Sequence, residues 1–356
     1  MTRRLDADDR CPVRDGLYMP AEWVSHSRTW MAWPCRPEPW GSLEGLLRAR
    51  VAYAAVARAI SGFEKVTMVV RPEDHDEARL ACGKGIDFAG FRIDDSWVRD
   101  TGPLFVTDGA GGIAGVHWRF NAWGNKYHPH DGDAALAESL LEALDMRSYA
   151  GPMVLEGGSI VVDGLGTLIT TEQCLLNPNR NPNLTRQQIE ERLAIYLGVT
   201  RIVWLGEGLE DDETDGHVDN IVSFAGPGRV LVHKPAANGS FNDRVMRDNI
   251  QRLAAARDAR GQPFEIIEVP EPAERLRHDG RRLELSYINS CFTNYGLVVP
   301  AFADPCDDDV FSIMQKVFPD RRIVQVPALD ILEGGGGLHC ITMQQPSGEA
   351  LAPERI

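Results

Sequence analysis

The sequence predicts an α/β fold in which one architectural unit is used five times. Two observations carry this. A helical stretch, a short loop and an apolar, largely β-branched run follow one another at five places along the chain. Further strand-like runs lie between these joints, so each unit holds one helix and about three strands. The repetition is of architecture and not of sequence, and its period is too long and uneven for a solenoid. No Pro- or Ser-rich linker divides the chain, so residues 1–356 are read as a single domain.

The elements follow in order. Residues 1–20 are a polar leading segment, and residues 23–34 place three tryptophans within twelve positions, read as core packing. Leu and Ala at helical spacing predict a helix over 45–61, which Gly62 ends before the strand Lys65-Val66-Thr67-Met68-Val69-Val70. The same joint recurs as helix 133–145 and strand 152–155, helix 185–197 and strand 201–205, helix 242–259 and strand 264–269, and helix 308–317 and strand 321–326. The third helix opens on a capping box, Thr185 with Gln188. The acids Asp307, Asp308 and Asp309 suit the start of the last one. Further strands are expected over 91–93, 113–120, 159–162, 167–171, 220–224, 229–233, 286–292 and 297–302.

Bulk composition narrows the partners. The chain has 356 residues, 43% hydrophobic and 25% charged, which is enough to bury a core and gives no sign of disorder. A formal net charge of -15 argues against nucleic acid and anionic membranes and suits a cationic ligand. Seven scattered cysteines, with no CxxC, predict a reduced, cytoplasmic protein without a disulfide framework. The first ten residues lack an apolar signal region, and no apolar run approaches a membrane span.

Chemistry concentrates in four segments. Glu333-Gly334-Gly335-Gly336-Gly337-Leu338-His339-Cys340 combines a glycine run, which permits close backbone approach, with an intrinsically strong nucleophile. The glycines single out Cys340 among seven cysteines. His339 beside it points the other way if this stretch is a strand. Asp215-Gly216-His217-Val218-Asp219-Asn220 offers a histidine and a carboxylate two residues apart, which share a face on a strand and form an acid/base candidate. Glu156 precedes Gly157-Gly158 at the end of an apolar strand, and Asp100 ends Trp97-Val98-Arg99-Asp100 before a turn, with Asp94 and Asp95 close by.

Carboxylates at 100, 156 and 219 around a thiol disfavour a thiolate unless the bound substrate is itself a cation. A planar guanidinium fits, because it presents five donors to carboxylates in a fixed fork. Other site types find little support. His128 and His130 lack partners at zinc spacing, no Walker A or GxSxG motif occurs, and Gly164-Leu165-Gly166 lacks the third glycine of a dinucleotide fingerprint.

The chain resembles the agmatine deiminase family, related to bacterial peptidylarginine deiminase within the guanidine-modifying pentein superfamily. The resemblance rests on Met19-Pro20-Ala21-Glu22-Trp23, Trp30-Met31-Ala32-Trp33-Pro34, Asp94-Asp95-Ser96-Trp97-Val98-Arg99-Asp100-Thr101-Gly102-Pro103, Arg119-Phe120-Asn121-Ala122-Trp123-Gly124, Leu155-Glu156-Gly157-Gly158-Ser159, residues 177–182 and 214–220, Ser286-Tyr287-Ile288-Asn289, and residues 335–346. It implies a five-bladed α/β propeller of ββαβ units around a central funnel. It implies Cys340 as nucleophile, His217 as acid/base, Asp100 and Asp219 gripping the guanidinium, and Glu156 orienting His217 and sharing in substrate binding. Asp95, Trp97, Asn289 and Gly337 are the expected substrate-binding residues, with Asp95 or Asp211 receiving the distal amine of agmatine. The implied reaction converts agmatine to N-carbamoylputrescine and ammonia through a covalent thiouronium on Cys340, without metal or organic cofactor, in a possible homodimer.

Two departures bear on specificity: Gly337 stands where the family commonly has asparagine, and Ser290 where it has an aromatic. Cys35 falls where histidine is often found. The alternatives are deimination of another guanidine such as peptidyl-arginine or a modified arginine, amidino transfer, or polyamine binding on the same scaffold.

Overall fold

The computed structural model describes residues 10–234 and 237–353. Its strands form five sheets. In each, an antiparallel pair is followed by a parallel strand reached over a long helix. The first unit pairs Leu104–Thr107 antiparallel with Gly112–Arg119, then crosses by helix Asp131–Ala143 to Ser148–Val154. The second joins Ile160–Val162, Thr167–Thr171 and, beyond helix Arg186–Leu197, Arg201–Leu205. The third is Val222–Gly226, Arg229–Lys234, helix Phe241–Ala255 and Glu265–Pro270. The fourth is Cys291–Thr293, Gly296–Ala301, helix Cys306–Val317 and Arg322–Pro327.

The fifth unit is assembled from both ends of the chain. Thr342–Pro346 pairs antiparallel with His26–Ala32, which pairs parallel with Val66–Val70 beyond helix Leu43–Ser61. The last strand therefore fastens onto the first and closes the series.

Local chemistry sets these elements. Ser42, Thr185 and Ser240 each cap a helix by accepting a backbone N–H, and Thr185 with Gln188 forms the full capping box. Val66–Val70 is buried at every position, as expected of an apolar strand covered on both faces. Helix Leu43–Ser61 buries Tyr53, Val56 and Ile60 against that core. Truncating Ile60 to alanine there costs roughly 2–5 kcal/mol.

The expected helices and their partner strands fall within a few residues of these bounds, and Thr167–Thr171 and Arg201–Leu205 coincide with them. Three expectations are corrected. The tryptophan-rich stretch contributes to the core but also forms strand His26–Ala32. Residues 91–93 are not a strand; the strand is Ile86–Gly90. Beyond it the backbone turns at Asp94 and Asp95, whose N–H groups both donate to Asp133 Oδ1. Of 286–292 only Cys291 and Phe292 pair, because Ser286 Oγ turns to the Asn220 carbonyl and Ser290 Oγ to the Tyr287 carbonyl.

Candidate active site

Each connection between units runs through an irregular turn just before the first strand of the next unit. Asp100 lies in the short helix Val98–Thr101 before Leu104–Thr107. Glu156 and Gly158 precede Ile160–Val162, and His217 and Asp219 precede Val222–Gly226. Asn289 precedes Cys291–Thr293, and Cys340 precedes Thr342–Pro346. The same position in all five units thus delivers a polar side chain to one place. All six side-chain-bearing residues named here are buried.

Gly158 marks where three of them meet. A Cβ on it would stand 2.6 Å from His217 Nδ1, 2.9 Å from Asp219 Oδ2 and 3.1 Å from Asp100 Oδ1. Its N–H donates to Asp100 Oδ1 at 2.9 Å, and the Trp123 indole donates to Asp100 Oδ2 at 2.9 Å. His217 Nδ1 lies 4.0 Å from Asp100 Oδ1.

Cys340 Sγ lies 3.3 Å from Asn289 Nδ2 and 3.7 Å from Asp219 Oδ2. Burial first, then the charges of Asp219 and Asp100, push its thiol far above the ordinary range, against help from the Gly337 N–H and Asn289. Asp100 is itself raised, first by burial and then by Asp219 and Glu156, although His217 opposes the shift. The acids of the site therefore oppose ionisation of the thiol and of Asp100. A cation placed between Asp100 and Asp219 relieves both.

The segment bearing His217 is shaped by Asp212. Its Oδ2 accepts the N–H groups of Gly216 and His217, both at 3.1 Å, across a turn in which Asp215 and Gly216 have φ of 63° and 87°. Contrary to the expectation from their spacing, His217 and Asp219 do not share a strand. His217 precedes the 3-10 turn Val218–Asn220, and it is the turn that aims both at the slot. Likewise residues 339–340 are not strand, so His339 does not point away: its Nδ1 lies 2.8 Å from the same Asp219 Oδ2 that faces Cys340.

Arg180 supports Glu156. Its buried guanidinium donates to Glu156 Oε1 at 2.6 Å, to Asp215 Oδ2 at 2.7 Å and to the Thr214 carbonyl at 2.8 Å. Ligating atoms of Glu156, Cys174 and His217 fall within 4.8 Å of one another. By distance alone they could surround a metal ion. Arg180 already sets a full positive charge against that carboxylate, which disfavours a second cation there.

Above the thiol is a pocket. Trp97, Trp123 and Tyr127 supply aromatic wall, and Asp95, Asp100 and Glu213 supply carboxylates. Trp97 stacks on Trp40 with centroids 5.9 Å apart. Asp95 is paired with Arg36 at 2.9 Å, and burial raises its carboxyl despite that partner. Glu213 accepts from Tyr127 Oη and Arg277 Nη1, both at 2.6 Å, and also pairs with Arg281. Gly334 and Gly335 line the pocket, and Gly335 takes a φ of 100° open to glycine.

The expected substrate-binding residues divide into two groups. Asp95 and Trp97 line the pocket. Asn289 and Gly337 stand behind the nucleophile: Asn289 touches Sγ and accepts the His339 N–H at 2.8 Å, and a Cβ on Gly337 would meet Asn289 Oδ1 at 2.4 Å. Asp211 lies outside the pocket and accepts the Arg282 N–H. Sequence reasoning did not single out Trp123, Arg180, Glu213 or His339 as working parts of the site. Trp123 and Arg180 lie within the segments that carry the family resemblance, and that was their signal.

Five ββαβ units, closed by the chain ends around a thiol, an imidazole and carboxylates, are the design of the guanidine-modifying α/β propellers. Residues 18–346 match the family described as Porphyromonas-type peptidyl-arginine deiminase, and the chain belongs to that family. It is 45% identical to the agmatine deiminase of Stutzerimonas stutzeri over 359 residues, covering 94% of this chain and 97% of the relative. The structure of the agmatine deiminase of Enterococcus faecalis superposes with a TM-score of 0.90 at 35% identity, covering 96% of this chain and 98% of that one. DDAH from Pseudomonas aeruginosa shares the fold at 15% identity, with a TM-score of 0.52 over 90% of this chain and 99% of its own.

Proposed function

We propose that this protein is an agmatine deiminase that hydrolyses the guanidinium of agmatine to N-carbamoylputrescine and ammonia. One observation carries the choice of substrate. The pocket above Cys340 is lined by three carboxylates, Asp95, Asp100 and Glu213, and by no lysine or arginine among the described residues. The nearby Arg277 is spent on Glu213 and on the carbonyls of Glu333 and Pro39. Asp95 and Glu213 already hold Arg36, Arg277 and Arg281, so these arginines are engaged and a substrate carrying an α-carboxylate is opposed.

Asp100 and Asp219 hold the guanidinium over Cys340, which supplies much of the rate through orientation. The arriving cation offsets their charge, and the thiol proton passes to His217. The thiolate adds to the guanidinium carbon. His217 returns the proton to the departing nitrogen, which leaves as ammonia, and an S-alkylthiouronium remains on Cys340. Water then adds at the same carbon, giving its proton to His217, and the collapsing adduct expels the thiolate and the ureido product. Glu156, neutralised on one side by Arg180, lies beside His217 and steadies the imidazolium.

The chain acts as one catalytic unit in this reading, since every unit contributes to the site. Cysteines that are all free favour the cytoplasm. Among the described residues no helix is long and apolar enough to cross a membrane. A homodimer is the expected assembly, checked by light scattering in solution. The experiment that decides substrate is ammonia release from agmatine, arginine and a blocked arginine peptide. Turnover of agmatine well above the other two is expected; activity on arginine with none on agmatine overturns the assignment.

A further inference from the structure

Behind Asp219 runs a buried line of alternating charge. His339 Nδ1 lies 2.8 Å from Asp219 Oδ2, and His339 Nε2 lies 2.8 Å from Glu22 Oε1. Arg99 Nη1 donates to the same Glu22 oxygen at 3.3 Å. Arg99 also brackets the nucleophile through the backbone. Its Nε donates to the His339 carbonyl at 3.3 Å and its N–H to the Cys340 carbonyl at 3.2 Å. Asp219 Oδ1 is buried and finds no hydrogen-bond partner among the described residues. One oxygen of Asp219 is therefore fixed by His339, and the other is left for the substrate.

We propose that His339 is a positioning residue which works as an imidazolium: donating from both nitrogens, to Asp219 and to Glu22, it fixes the guanidinium-binding face of Asp219 and offsets that carboxylate's charge on Cys340. This rests on the deiminase reading of the site. The two contacts at 2.8 Å admit no other arrangement in which both carboxylates are ionised, since neutral imidazole has one donor.

The charged surroundings are consistent. Asp219 faces His339 from the Val218–Asn220 turn, Glu22 from the stretch before strand His26–Ala32, Arg99 from Val98–Thr101, and Cys340 is its chain neighbour. His26 sits beyond Glu22, with Nε2 on the Glu22 carbonyl at 2.8 Å, and is paired with Glu64. Burial and Arg99 work against a charged ring, yet Glu22 and Asp219 outweigh them and raise the His339 pKa. Glu22, although partly buried, is held down to about 2, chiefly by His339 and Arg99.

The test compares wild type, Glu22→Gln and His339→Gln. Two pH profiles are measured: kcat/KM for agmatine, and the rate of Cys340 alkylation by iodoacetamide, which needs no turnover. In wild type, kcat/KM falls on the alkaline side as His339 loses its proton. Glu22→Gln removes the anion that holds this proton and moves that limb down by about one pH unit or more. His339→Gln lowers kcat/KM about 10²-fold and moves the onset of alkylation to higher pH. Loss of rate by one factor at every pH, with limb and alkylation onset unmoved, overturns the proposal. Alkylation separates this failure from a wrong substrate. If His339→Gln does not fold, the limb in Glu22→Gln still decides.

Discussion

Gly158 lies directly beneath His217: a single methyl on its Cα would stand 2.6 Å from Nδ1, with Asp219 Oδ2 only 2.9 Å away. That void is where the imidazole and two carboxylates converge. Gly158→Ala forces at least one of them aside while leaving the preceding backbone intact. A displacement near 1 Å at reacting groups costs about 10²-fold in rate. The expected result is a fall of that size or more in kcat/KM, with a thermal midpoint close to wild type. Near-normal kinetics in the variant contradict the geometry.

Gly337 marks how tightly Asn289 is held. Asn289 spans Cys340 Sγ and the His339 N–H, and a Cβ at 337 would overlap its Oδ1 at 2.4 Å. Gly337→Asn must displace Asn289 in this chain. We expect kcat to fall roughly tenfold with a smaller change in KM, because Asn289 then lets go of the nucleophile while the substrate keeps its own partners. A change confined to KM places residue 337 in the substrate path instead.

Glu213 sets the sign of charge at the pocket mouth. It pairs with Arg277 and Arg281 and takes the Tyr127 hydroxyl. Glu213→Gln leaves Arg277 without its carboxylate beside the pocket, while Arg281 keeps Asp279. KM for agmatine should rise roughly tenfold, and the preference for agmatine over arginine should narrow. Steady-state kinetics on both substrates check this; an unchanged ratio removes Glu213 from substrate choice.

Asp133 holds the turn that presents Asp95. It is 2% exposed and accepts from the Asp94 and Asp95 N–H groups. Burial first, then Asp95, pushes its carboxyl up to about 8. An unfolded aspartate titrates near pH 3.9. Between about pH 4 and 8 the native state keeps a proton that the unfolded chain has lost, so stability falls as pH rises through that window. Asp133→Asn keeps the acceptor but cannot ionise. Its thermal midpoint should vary less over this range than that of wild type, and equal slopes would count against the assignment.

Sequence legibility followed the range of the interactions. The joints of helix and strand were readable because they are local, and the capping box at Thr185 and Gln188 appears as read. The glycine run beside Cys340, and the acids at strand ends, were readable because turns beside reactive side chains are themselves local signals. Arg180 and Glu213 were not, since their meaning lies in partners 24 and 64 residues away, Glu156 and Arg277 respectively. His339 was misread for a physical reason. Alternation of side chains holds only in strands, and residues 339–340 form a turn, where consecutive side chains meet at one carboxylate. Strand His26–Ala32 escaped because it is buried on most positions and shows no alternation.

The central claim is covalent guanidine chemistry at Cys340, and acid-quenched turnover with agmatine tests it most directly. Mass spectrometry of the digested protein should find the peptide bearing Cys340 carrying agmatine less ammonia, and Cys340→Ala should show neither adduct nor turnover. Full turnover by Cys340→Ala, or an adduct on another cysteine such as Cys174 in its place, would contradict the account.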